Sequence, residues 1–160
     1  MRTIAIAISM TLFAAAAVAQ QAPAQKLYTS ASDVQGMIAK SKAERKDQPT
    51  IASPLIRNAP YNVNLEYRAS IGPAALHEKE VEMFYVVEGS GTLVTGGKLK
   101  DEKRNNADNL GGTGIEGGNT REVAKGDFFF VPANTPHWFS KINGTLVLMS
   151  LHGPSGTMMH

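Results

Sequence analysis

An all-β domain with antiparallel strands in a sandwich or barrel, carrying one short N-terminal helix, is the fold class this sequence predicts. Two patterns carry the prediction: short apolar runs, several with a period of two, past Asp47, and glycine-rich turn signals between them. One helical stripe ahead of these runs supplies the third observation. With 160 residues, 42% apolar and 19% charged, the chain has the material for one ordinary globular domain.

Arg2 precedes an apolar run over residues 4–18 that ends Ala17-Val18-Ala19 before Gln20, the order of a secretory signal. Cleavage is expected after Ala19, with export to a bacterial periplasm. The run is short of the roughly 20 apolar residues a membrane span needs, so no stable span is expected once residues 1–19 are removed. Residues 20–29 read as a flexible leader, 30–154 as the folded domain and 155–160 as a tail.

Ser32 is placed to cap a helix, with Gln35 three residues on, and Val34, Met37, Ile38 and Ala39 form one apolar stripe. Lys40, Lys42, Arg45 and Lys46 gather towards its end, where positive charge suits the helix dipole. Tyr61, Val63, Leu65 and Tyr67 then alternate with Asn62, Asn64, Glu66 and Arg68, the pattern of a half-buried strand. Further strands are expected at residues 82–88, 91–95, 120–124, 127–131 and 145–152. Turn signals separate them at Glu88-Gly89-Ser90-Gly91, Gly96-Gly97, Lys125-Gly126-Asp127 and Asn143-Gly144. Residues 98–118, polar and rich in glycine, read as an inserted surface loop, either a lid or an excursion without a role.

Several functions are excluded by composition. A net charge of +2 without a basic block leaves no electrostatic footprint for nucleic acid. Gly112, Gly114 and Gly117 spell GxGxxG, but strand-like residues follow where a dinucleotide site needs a helix N-terminus. With no Cys, any metal falls to carboxylates and to His77, His137, His152 and His160, the last expected to be a disordered terminus.

Two segments carry chemistry. His77, Glu82 and Gly89 hold the second His, Glu-x6-Gly spacing of one motif; Gly126, Pro132 and His137 hold the spacing of a second. In this order the pair resembles the signature of the cupin superfamily over about residues 72–151. The resemblance implies an antiparallel, jelly-roll-like cupin β-barrel. It also implies a divalent transition metal, Fe, Mn, Zn, Ni or Cu, on His77, Glu82 and His137, and a homodimer. Ala75 stands at the family's first His, Asn134 at a turn glycine and Lys141 at a common Asn. Asn tolerates positive φ, so Asn134 is expected to keep the turn.

Two imidazoles and a carboxylate match the facial triad of Fe(II) oxygenases; a barrel that has lost its metal would keep the same residues as interior polar groups. His152 shares a face with Leu146, Leu148 and Ser150 under period two, so it is either an extra ligand or a solvated strand end. The same parity turns Phe84 inward with Glu82, and Phe84, Phe128, Phe130 and Phe139 are expected to bind substrate or to pack as core. Glu78 and Glu80 are candidates for acid–base work or for a charged turn with Lys79. The expected function is a metal-binding cupin acting on a small organic molecule, of dioxygenase type. A non-catalytic ligand-binding protein and a metal-dependent isomerase, decarboxylase or lyase stand as alternatives.

Overall fold

A computed structural model describes residues 25–156. The expected signal, residues 20–24 of the leader, residues 157–159 of the tail and His160 lie outside them. Helix α1 spans Ala31–Glu44, and eleven strands follow: β1 Thr50–Asn58, β2 Tyr61–Arg68, β3 Ala74–His77, β4 Glu80–Thr95, β5 Lys98–Lys100, β6 Lys103–Arg104, β7 Asn109–Gly112, β8 Gly114–Glu116, β9 Asn119–Ala124, β10 Phe128–Val131 and β11 His137–Pro154. Nine of them form one antiparallel sheet whose path runs β1-β2-β11-β3-β7-β6, with β4 joining β9, β10 and β11. The β5–β8 pair stands apart. Among the described residues no helix is long and apolar enough to cross a membrane.

The helix is capped by Ser30, two residues before the expected cap. Ser30 Oγ accepts the Asp33 amide at 3.1 Å and the Asp33 carboxylate accepts the Ser30 amide at 3.1 Å, a reciprocal capping box that Ser32 and Gln35 do not form. Val34 and Ile38 then pack on Leu55, Leu65, Tyr67 and Val147, which closes one side of the sheet.

On the opposite side Phe84, Val86, Leu93, Val131, Phe139, Leu146 and Leu148 make the inner core. Strand β2 therefore has two covered faces. Leu65 and Tyr67 lie under α1, while Glu66, on the face expected to be polar and wet, is itself buried.

Strand β4 is continuous where two shorter strands with a turn were expected, and β11 starts at His137, running through the Asn143-Gly144 turn signal into the strand expected at residues 145–152. The β4 glycines mark close approach. A Cβ at Gly91 would lie 2.5 Å from the Lys141 carbonyl oxygen, and one at Gly89, whose φ is +81°, would lie 1.9 Å from that of Thr145. The register also shifts between Ile142 and Leu146, so Asn143-Gly144 sits in an irregularity of β11.

Residues 98–118 contain β5 to β8 rather than a structureless loop. Strand β7 pairs with β3, setting Asn109 opposite His77. Glu78 and Lys79 form the charged bend between β3 and β4, as expected, with their charges paired outward: Glu78 takes both terminal guanidinium nitrogens of Arg104, and Lys79 pairs with Asp108. These exposed pairs pin the segment beside β3 and add little stability.

Candidate metal centre

The site follows from register. Directly opposed residues of antiparallel strands share a face, and Glu82 on β4 stands opposite both Val131 on β10 and His152 on β11. His77 arrives from the end of β3. His137 begins β11 after a turn in which Asn134 has φ +58°, as expected, and donates its amide to the His77 carbonyl at 2.7 Å. That bond stitches the two motifs together.

All three imidazoles present Nε2 to one buried carboxylate. His77 and His137 Nε2 lie 3.4 and 3.1 Å from Glu82 Oε2, and His152 Nε2 lies 3.0 Å from Oε1. The ligating atoms of His77, Glu82 and His152 fall within 4.8 Å of one another. Each Nδ1 faces an oxygen instead: His77 that of Asn109 at 2.6 Å, His137 the Thr135 carbonyl at 3.2 Å, and His152 that of Glu80 at 3.5 Å. An acceptor at Nδ1 fixes the proton there and leaves the Nε2 lone pair for a metal. Glu82 Oε2 is buried without a well-aligned hydrogen bond. The donor set and this unsatisfied oxygen fit a divalent transition ion.

Glu80 thus lies beside His152, at the first position of β4 after the Glu78-Lys79 bend. Ala75 pairs in register with His137 and lines the cavity.

The cavity is about 280 Å³ and is bounded by His77, Glu82, His137 and His152 on one side and by Glu66 and Arg68 on another. None of the four expected substrate-binding phenylalanines lines it. Phe128 and Phe130 are 65% and 51% exposed on the outer face, because β10 opposes Phe129 to Phe84 and Phe128 to Tyr85. Phe129 is the inward residue, stacked on Phe84 with centroids 4.9 Å apart. Phe84 and Phe139 are fully buried core beneath the site.

Sequence reasoning missed Asn109, Glu66 and Arg68. Glu66 Oε2 accepts from Arg68 Nε and Nη2 at 2.9 and 2.5 Å, Glu66 Oε1 accepts from the Ser150 hydroxyl at 2.7 Å, and the guanidinium lies 4.7 Å over the Phe139 ring. The polar alternation of β2 was the available signal.

Burial pushes the Glu82 carboxyl up, but the three imidazoles outweigh it and hold the group well below 4.5. Burial pushes His77 and His152 down, but the Glu82 carboxylate outweighs it and leaves both above 6.5, with Asn109 adding to the shift at His77. A depressed carboxylate stabilises the fold above its unfolded value and loses this as pH falls through the folded value. Raised imidazoles stabilise below their unfolded value and lose this as pH rises through the folded one. Both contributions coexist between 4.5 and 6.5. Thermal melts of metal-free protein are expected to show the stability contributed by the site greatest in that window and shrinking on either side, while metal affinity rises towards alkaline pH as the imidazoles deprotonate. A site contribution that grows steadily above pH 7 without metal would contradict this.

A family model described as Cupin matches residues 55–154. No curated protein matches the chain. Among solved structures, Fe(II) HppE is similar at 16% identity and a TM-score of 0.52, over 68% of this chain and 53% of HppE. Ectoine synthase from P. lautus is similar at 13% identity and 0.50, over 74% of each chain. The cupin domain of Cnp3 from Schizosaccharomyces pombe is similar at 13% and 0.50, over 71% of this chain and 72% of that one. At these identities the likeness is one of fold.

Proposed function

Because the chain belongs to the cupin family, we propose that it is a mononuclear metal protein whose ligands are His77, Glu82, His137 and His152 and whose cavity receives a small organic molecule for dioxygenase-type oxidation. The observation that carries the reading is the convergence of three Nε2 atoms on Glu82, each Nδ1 facing an oxygen. His152, at the far end of β11, supplies the imidazole that Ala75 lacks.

When bound, a divalent ion such as Fe(II) supplies Lewis acidity and redox capacity. The chain's own residues bind and orient. Asn109, the Thr135 carbonyl and Glu80 hold the imidazole rings, and Phe84 packs in the core behind His137. The imidazole and carboxylate donor set suits Fe(II), and this supports oxidation over an isomerase or lyase reaction.

Asn109→Ala is expected to lower metal affinity by about 10–100-fold, read by competition with a chromophoric chelator, with little change in Tm. Unchanged affinity would remove the orienting role. The reaction is tested with an oxygen electrode on Fe(II)-loaded protein and a panel of small enols and aromatic diols. Uptake above that of metal-free protein is expected; metal-loaded protein that binds panel members without consuming oxygen is a ligand-binding protein instead.

A further inference from the structure

The inner face of β2 carries a charged group that the fold does not require. Opposite Glu66 and Arg68 in register stand Leu148 and Leu146, both fully buried. Apolar residues at these two positions would pack there without the desolvation penalty of an ion pair. Glu66 is 7% exposed, the Arg68 side chain 16%, and both border the cavity that holds the histidine cluster.

Glu66 grips the guanidinium from one side only. A single oxygen, Oε2, takes both Nε and Nη2, and the second oxygen is held by Ser150. Arg68 lies over the Phe139 ring, two residues along β11 from His137. Its position is thus held by an acid at one edge and an aromatic face below. Nη1 and the second hydrogen of Nη2, the end-on edge, make no bond among the described residues beyond the one Nη2 gives Glu66. A guanidinium edge of this kind matches the two oxygens of a carboxylate.

We infer that Arg68 is the recognition group for the carboxylate of a small organic acid, and that Glu66 is a positioning residue acting through it. This rests on the cavity being the substrate site. It adds the substrate class: a monocarboxylate small enough for about 280 Å³.

The test is calorimetric titration of the metal-loaded full chain with acetate, lactate and benzoate, each against its neutral amide. Wild type is expected to prefer the carboxylates by at least about tenfold, the scale of one charge-assisted pair. Because a metal also attracts carboxylates, the Arg68→Met/Glu66→Gln double variant, which leaves no stranded charge, decides the assignment. Its preference is expected to fall to about twofold or less with amide binding and metal content unchanged; Arg68→Lys keeps part of it, and Glu66→Asp, which keeps the charge but shortens the arm, weakens carboxylate but not amide binding. A preference that survives the double variant overturns the inference, as does equal binding of acid and amide, or no binding of any probe, in wild type. Should the double variant not fold, Arg68→Lys with undiminished preference does the same. Metal content measured in parallel separates the two readings: carboxylate selectivity through Arg68 without bound metal sinks only the metal assignment, and bound metal without selectivity sinks only this one.

Discussion

Glu82→Gln is expected to abolish stoichiometric metal binding, with an affinity loss beyond the roughly 100-fold that losing an outer partner of a ligand costs. The carboxylate is the hub of the cluster: each of three imidazoles comes within 3.4 Å of one of its oxygens, and it is 3% exposed. Its removal takes away both the negative donor and the group that draws the rings together. In metal-free protein the same substitution removes the partner that raises His77 and His152, so the acid-side stability gain described above is expected to vanish with it. Elemental analysis and chelator competition measure the first effect, and pH-dependent melts the second. Retained one-to-one metal in the variant would move the centre away from Glu82.

Phe84→Ala is expected to cost about 3–5 kcal/mol, the range for emptying a fully buried aromatic site. The ring is 0% exposed, stacks on Phe129, meets Phe139 edge-on with centroids 6.0 Å apart and lies 6.1 Å from the His137 ring. The cavity would open directly beneath the candidate centre. Phe128→Ser, on the exposed outer face, is expected to stay within about 0.5 kcal/mol. Denaturant unfolding of both variants tests the inward–outward assignment of β10: similar losses for the two would contradict it.

That assignment also marks where sequence reading stops. Three consecutive phenylalanines carry no alternation, so the parity of β10 comes only from its register with β4, where Val131 opposes Glu82 and Phe129 opposes Phe84. Motif spacing sufficed for His77, Glu82 and His137, because fixed intervals on β3, β4 and the turn before β11 bring them together. For His152 the period of two indicated the face, but only the pairing of β11 with β4 brings it to Glu82.

The strand read as broken at Gly89-Ser90-Gly91 shows a different limit. A glycine needed for close backbone approach looks, in one dimension, like a glycine needed for a turn. Glu66 and Arg68 were legible as the polar side of a strand, and that side would ordinarily face water. Here α1 covers the other face, which turns the polar side towards the cavity. Asn109 lay inside a segment without periodic apolar residues, and its contact with His77 depends on the β3–β7 pairing alone.

Metal-edge X-ray absorption on protein loaded with one equivalent of Co(II) tests the central claim most directly. Three imidazole nitrogens and a carboxylate oxygen in the first shell, with imidazole scattering reduced in His152→Ala, is the result expected. A first shell of oxygens without imidazole, or a spectrum unmoved by His152→Ala, would contradict the assignment of the centre.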